Sequence, residues 1–282
     1  MERSTRQHPP RLRGRVLVLG LVLLLVAPLA ACDRFPSVGT NFGGPGPYAV
    51  SVRNGPNHTY FYPTNLRTDG IRHPVILWGN GTFLNPTHYD ALLRHLASHG
   101  FIVAAANTSN AGSGQEMLAG LDNLTTFDRT NGDVFFGKVD LTRVATMGHS
   151  QGGGGAINAA RDPRVDTAVP IEPWQGDVTG LHGPTFFLAG QTDTTIRPAT
   201  VRQKYQASSG IPAAYGELAN ADHLQPIGNG NGFRAPVTAW VRWQLMEDPI
   251  ARSQFVGECA YCTSNIWSAF ETNSRLQATA AS

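Results

Sequence analysis

Ser150, Asp193 and His223 are the residues of this 282-residue chain whose types and order could carry acyl-transfer chemistry. A serine hydroxyl is a poor nucleophile at neutral pH. It needs an adjacent base, and the base needs an orienting acid. Ser150 sits in Gly148-His149-Ser150-Gln151-Gly152, a G-x-S-x-G motif. An apolar run, Arg143–Gly148, precedes it and an Ala/Gly-rich helical segment opens at Gln151. That strand–turn–helix setting is what gives the motif meaning. The serine must occupy a strained turn, and Gly148 and Gly152 remove side chains that would collide there. The run Gly152–Gly155 could also suggest a phosphate loop, but it lacks the Lys-Ser/Thr ending such loops need.

The partners are expected downstream. Asp193 follows the strand-like run Pro184–Ala189, and His223 follows Ala213–Leu218. Asp222 is a rival acid, but as the neighbour of His223 it points elsewhere in most backbone conformations. His182 is a rival base, but it precedes Asp193. The developing oxyanion needs two N–H donors. Gln151 offers one, and the loop Gly79-Asn80-Gly81-Thr82-Phe83 offers the other, assigned to Thr82 with Phe83 as the fallback. The remaining histidines (His58, His73, His88, His95, His99, His149) show no ligand spacing with carboxylates or cysteines. Most of them read as surface or helix residues, and neither a metal nor a cofactor is expected.

The elements that must hold these residues alternate. Tyr48–Arg53 and His58–Tyr62 read as an opening hairpin or edge pair. Strands are expected at Val75–Trp78, Phe101–Ala106, Arg143–Gly148, Thr167–Ile171, Pro184–Ala189 and Ala213–Leu218. Helices are expected at Thr87–Ser98, Gly114–Leu124, from Gln151, and at Ala199–Gln206 and Ala235–Met246. Such alternation implies crossover connections: an α/β fold, doubly wound, with a mostly parallel sheet and helices on both faces. No long insertion separates Ile171 from Pro184, so no large lid domain and an open cleft are expected.

Residues 1–31 read as an address. Five arginines precede or open the apolar run Val16–Val26, and small residues follow, ending in Leu29-Ala30-Ala31-Cys32. This is the plan of a secretory signal. The run is too short for the roughly 20 residues that span hydrocarbon. Leu-Ala-Ala-Cys resembles the bacterial lipobox, which implies lipidation of Cys32 and a membrane anchor on an exported protein. Residues 32–47 are rich in Gly and Pro and read as a tether; residues 48–282 form the catalytic domain. The arginines and single acid of residues 1–31 turn the overall charge of +2 into −2 for the remainder. With no basic stripe to neutralise phosphates, nucleic acid is excluded as a partner. Cys259 and Cys262 form C-x-x-C near the C-terminus. Outside the cytoplasm that pair is expected as a structural disulfide. A redox role would need it at a helix N-terminus near the start of a βαβ unit. A monomer is expected.

Several blocks together resemble the bacterial cutinase-like and polyester-hydrolase branch of the α/β-hydrolases, a branch related to dienelactone hydrolases. They are Gly79-Asn80-Gly81, Leu96-Ala-Ser-His-Gly100-Phe-Ile-Val, Gly137-Lys-Val-Asp, Met147 through Gly155, and Glu172-Pro-Trp174. The resemblance runs from about Tyr60 to Gly228. It implies a serine carboxylic ester hydrolase with the chain order Ser150, Asp193, His223. It implies Thr82 as the first oxyanion donor, and Trp174 as a substrate contact beside Phe83. Two positions depart from the pattern. Position 82 is usually aromatic and is Thr here; position 151 is usually Met and is Gln here. Both changes make the cleft more polar. The same three residues could also serve a peptidase or thioesterase, and a surface lipoprotein could keep the fold without the activity.

Overall fold

The computed structural model describes residues 1–2, 35–66 and 70–281. The export signal and Cys32 lie outside the described residues. From Phe35 onward the chain forms one unit. No helix among the described residues is long and apolar enough to cross a membrane.

The strands are β1 (Val50–Asn54), β2 (His58–Pro63), β3 (His73–Gly79), β4 (Ile102–Ala106), β5 (Val139–His149), β6 (Thr167–Ile171), β7 (Thr185–Gly190), β8 (Ala213–Leu218) and β9 (Trp267–Thr272). They form a single sheet in the order β1-β2-β4-β3-β5-β6-β7-β8-β9. The pairings from β4 through β8 are parallel, while β1, β2 and β9 join antiparallel. The expected α/β-hydrolase fold, with a mostly parallel sheet, is the fold observed. Antiparallel β9 was not anticipated, and β5 begins four residues before the run that signalled it.

The helices are α1 (Asp90–Ser98), α2 (Gln115–Arg129), α3 (Gln151–Ala159), α4 (Pro198–Ala207), α5 (Arg234–Met246), α6 (Pro249–Arg252) and α7 (Ser274–Ala278). A parallel strand covered on both faces is apolar throughout, and β3 shows why. Ile76 and Trp78 face a cluster with Leu92, Leu93 and Leu96 of α1 and Trp240 of α5. Val75 and Leu77, one residue out of phase, face Met117, Leu121 and Leu124 of α2 and Ala156 of α3. The period of two thus divides the core into two layers.

The tether expected at 32–47 is corrected from Phe35 onward. Phe35 and Phe42 are buried in the layer beneath α1 and α5. The Gly46 N–H donates to Ser98 Oγ at 2.9 Å. Buried Arg242 of α5 donates to the Pro36 carbonyl at 2.9 Å and to Asp248 at 2.8 Å. The histidine expectation is corrected in part: His58, His73, His99 and His149 are buried and lie outside any helix, while His95 lies in α1 but is buried as well. His95 Nε2 lies 3.0 Å from the Phe42 carbonyl and His99 Nε2 lies 3.0 Å from that of Gly44. Their ring N–H groups donate to carbonyls of the corrected segment.

The cysteine pair forms the expected disulfide, Cys259–Cys262. It stands beside Tyr261, whose ring packs on Phe255 and Trp267, and so fastens the corner that leads into β9.

Candidate active site

The chain order of the strands reverses between β3 and β5, where ligands bind at the carboxyl ends in open α/β sheets. Ser150 stands there, at the end of β5. Its backbone takes φ 55° and ψ −116°, a left-handed conformation that costs a non-glycine residue roughly 1–3 kcal/mol. The turn is held by main-chain bonds. The Ser150 N–H donates to Ile171 O at 3.0 Å, and the Trp174 N–H donates to Ser150 O at 2.9 Å. A Cβ on Gly152 would strike the Gly79 carbonyl, and one on Gly148 would strike the Gly152 carbonyl. Backbone meets backbone at both positions, so only glycine lets α3 start this close to β3.

The structure brings the three candidate residues into one series. His223 Nε2 lies 2.9 Å from Ser150 Oγ, and His223 Nδ1 lies 2.7 Å from Asp193 Oδ2. Asp193 is fixed from the other side, since Oδ1 accepts from the N–H groups of Thr195 at 2.7 Å and Ile196 at 2.8 Å. With the Nδ1–H donating to Asp193, Nε2 is left as the acceptor for the serine hydroxyl. The loops after β7 and β8 are stitched together, because the Thr192 N–H and hydroxyl both donate to Ala221 O. The rivals fall away. Asp222 is exposed and caps Leu224 N–H at 3.0 Å, and the His182 ring bonds the Val165 carbonyl.

Thr82, Ser150, Gln151, Trp174 and His223 line one cleft of about 510 Å³, with Leu84, Ile196, Leu224 and Ile227 among its apolar walls. Gln151 is the first residue of α3, so its N–H has no carbonyl a turn earlier within the helix. Thr82 lies in a turn closed by the Leu84 N–H donating to Gly81 O at 3.0 Å. Phe83 occupies the third place of that turn with φ 65° and is 90% exposed. It stands between Thr82 and Leu84, which line the cleft, with its ring turned out to solvent. Among the described residues, no helix or strand interrupts residues 172–184.

Asn80 anchors the loop that carries Thr82. Fully buried, it accepts from the Trp78 indole N–H at 3.0 Å and donates to the carbonyls of Ala106 and Thr108 at 2.6 and 2.9 Å. Asn80→Ala leaves these groups unpaired. The variant is expected to lose about 1–3 kcal/mol of stability in urea unfolding.

Glu172, first residue of the Glu172-Pro-Trp174 block, joins the site from the end of β6. It is fully buried, and its Oε2 lies 3.5 Å from His223 Nδ1 and 3.2 Å from His149 Nε2. Burial, then the charges of Asp193 and Asp222, push its carboxyl up to about 9. It therefore holds its proton at neutral pH. The available signal was a carboxylate directly after an apolar strand, at the sheet end where sites form. The donor atoms of His149, Glu172 and His223 lie within 4.8 Å of one another, a juxtaposition their sequence spacing hides. A metal there would have to displace the Nδ1 proton with which His223 donates a hydrogen bond to Asp193.

A hydroxyl, an imidazole and a carboxylate in series, beside a helix N-terminus in an apolar cleft, suit acyl transfer. Comparison with known proteins agrees in kind. The PET hydrolase-like family (PETase) matches the chain over residues 47–274. The chain belongs to that family. Among its relatives are a bis(hydroxyethyl) terephthalate hydrolase of Streptomyces coelicolor, 29% identical over 75% of this chain and 71% of the relative. Cutinase est1 of Thermobifida alba is 30% identical over 67% of this chain and 65% of its own length. Cutinase est2 of the same organism is 28% identical over 72% and 71%. This PET hydrolase-like chain is therefore a cutinase-like carboxylic ester hydrolase on an α/β-hydrolase fold.

Proposed function

We propose that Ser150, His223 and Asp193 are the nucleophile, base and orienting acid of ester hydrolysis by way of an acyl-enzyme. The observation that carries this reading is His223, bonded to Ser150 on one ring nitrogen and to Asp193 on the other. Ser150 Oγ attacks the ester carbonyl while His223 Nε2 takes its proton. The Thr82 and Gln151 N–H groups hold the oxyanion. Its collapse expels the alcohol, which leaves with the proton from Nε2. Water repeats the sequence on the acyl-enzyme and releases the acid.

The half-exposed Trp174, with Leu84, Ile196 and Ile227, gives the acyl group an apolar wall. The cleft thus suits esters of apolar or aromatic acids, and its uncovered rim can admit a polymer. All three chemical groups come from one chain, which supports a monomer as the acting unit. The test is reaction with a fluorophosphonate probe, followed by rates on p-nitrophenyl esters from acetate to palmitate, bis(hydroxyethyl) terephthalate and a polyester film. Probe label on Ser150 with ester turnover is expected. An unlabelled Ser150 would overturn the mechanism, and turnover confined to peptides or thioesters would overturn the substrate class.

The reading includes export, with Cys32 lipidated and holding the enzyme at a membrane surface. Cells fed radioactive fatty acid should label the wild-type chain and not Cys32→Ala. No label on the wild type would refute the anchor.

A further inference from the structure

Glu172 is the buried acid that the proposed mechanism leaves unused. It follows β6 directly and takes φ 47°, a left-handed conformation that costs a side chain energy. Its N–H donates to Leu188 O at 2.8 Å, which fixes the backbone. Room for the carboxyl is made by Gly190 at the end of β7, where a Cβ would stand 2.6 Å from Glu172 Oε1. Neither carboxyl oxygen makes a well-aligned hydrogen bond, the nearest polar atom being His149 Nε2 at 3.2 Å from Oε2. A buried polar group so poorly paired is costly, so a strained backbone and a glycine-made hole that keep it there call for a role.

The role is set by what the carboxyl faces. Two carboxyl groups stand before His223 Nδ1: Asp193 Oδ2 at 2.7 Å and Glu172 Oε2 at 3.5 Å. They come from different strand ends, β7 and β6. We propose that Glu172 is a second acid for His223, a positioning residue able to accept the Nδ1–H hydrogen bond when Asp193 does not. The proposal rests on the reading of Ser150, His223 and Asp193 given above. The charged and titratable groups around Glu172 are His149 from β5, Asp193 from the β7 loop, and His223 and Asp222 from the β8 loop. Tyr89, before α1, adds a further hydroxyl. In the resting enzyme Glu172 is neutral and adds no charge beside Asp193. With Asp193 neutralised, one of the causes that keep Glu172 protonated is gone, and it ionises at lower pH.

The test compares Asp193→Asn, Glu172→Gln and the double variant by ester kinetics across pH 6–10. Loss of the orienting acid alone costs a serine triad about 10⁴-fold. With Glu172 in reserve, Asp193→Asn is expected to lose only about 10²-fold and to regain rate as pH rises. The double variant should lose a further 10²-fold or so, together with the pH-dependent rise. Equal rates and equal pH profiles for Asp193→Asn and the double variant would overturn the proposal. Should Asp193→Asn not fold, the downfield Nδ1 proton resonance of His223 decides. It should shift between pH 8 and 10 in the wild type and stay still in Glu172→Gln; the same response in both would overturn the proposal. Fluorophosphonate labelling of wild-type Ser150 separates the two failures. An unlabelled Ser150 sinks the underlying mechanism and this proposal with it, whereas a labelled one confines the failure to Glu172.

Discussion

Ser150→Ala is expected to lower kcat/KM on p-nitrophenyl esters by about 10⁴-fold or more, with little change in thermal stability. The elbow does not depend on the side chain. Its two fixing bonds, to Ile171 O and from Trp174 N–H, are made by the Ser150 backbone. Alanine removes Oγ and leaves the turn, the cleft and the oxyanion donors in place. The residue left of the activity should be what N–H groups and binding alone provide to attack by water. Because Ser150 and His223 act as one unit, adding His223→Ala to this variant should cost almost nothing more. Steady-state kinetics on the two single variants and the double variant read this directly. A Ser150→Ala enzyme with near-normal turnover would show that another group attacks the ester.

The residues that do the chemistry were legible because the fold leaves marks on short stretches. G-x-S-x-G after an apolar strand can be seen in ten residues, and the acid and base follow strands that are themselves apolar runs. What stayed hidden depends on contacts between distant segments. Strand β9 lies at the sheet edge with only Trp267 fully covered, so it carries no continuous apolar run. Residues 35–47 have the composition of a linker, yet their glycines allow close approach: a Cβ on Gly46 would strike the Ser98 carbonyl. The error over the histidines has the same origin. His95 and His99 are tolerated in the interior because carbonyls of Phe42 and Gly44 receive their ring N–H groups. Once that segment is read as a tether, the histidines lose their partners and must be placed outside. Glu172 escaped notice for a similar reason. Its neighbours His149 and His223 are separated from it by 23 and 51 positions in sequence, and only the turn after β6 aims it at both.

Those buried groups make stability depend steeply on pH, with a maximum expected near pH 6.5. Burial lowers His95 to about 3, with His99 as the next cause. It lowers His99 to about 4, with Arg242 adding to the effect, and His149 to about 3, with His223 adding. In the unfolded chain all three take up protons below about 6.5, while the folded chain refuses them. Their contribution is therefore complete above that pH and is lost as pH falls toward 4. Glu172 runs the other way. The folded chain keeps a proton that the unfolded chain releases above about 4.5, so its contribution is lost as pH rises toward 9. Between pH 6.5 and 4.5 it cancels one of the three histidines, leaving about two protons, or roughly 3 kcal/mol for each pH unit. His58, lowered by its own burial, adds in the acid-labile direction. Domains of this kind hold only about 5–15 kcal/mol, so a fall of two pH units removes as much as the lower figure and about a third of the upper one. Urea unfolding from pH 4.5 to 9 measures both limbs. His95→Gln should remove about one proton from the acid slope, and Glu172→Gln should flatten the alkaline limb. A stability profile level from pH 5 to 8 would contradict the assignment of these groups as buried and neutral.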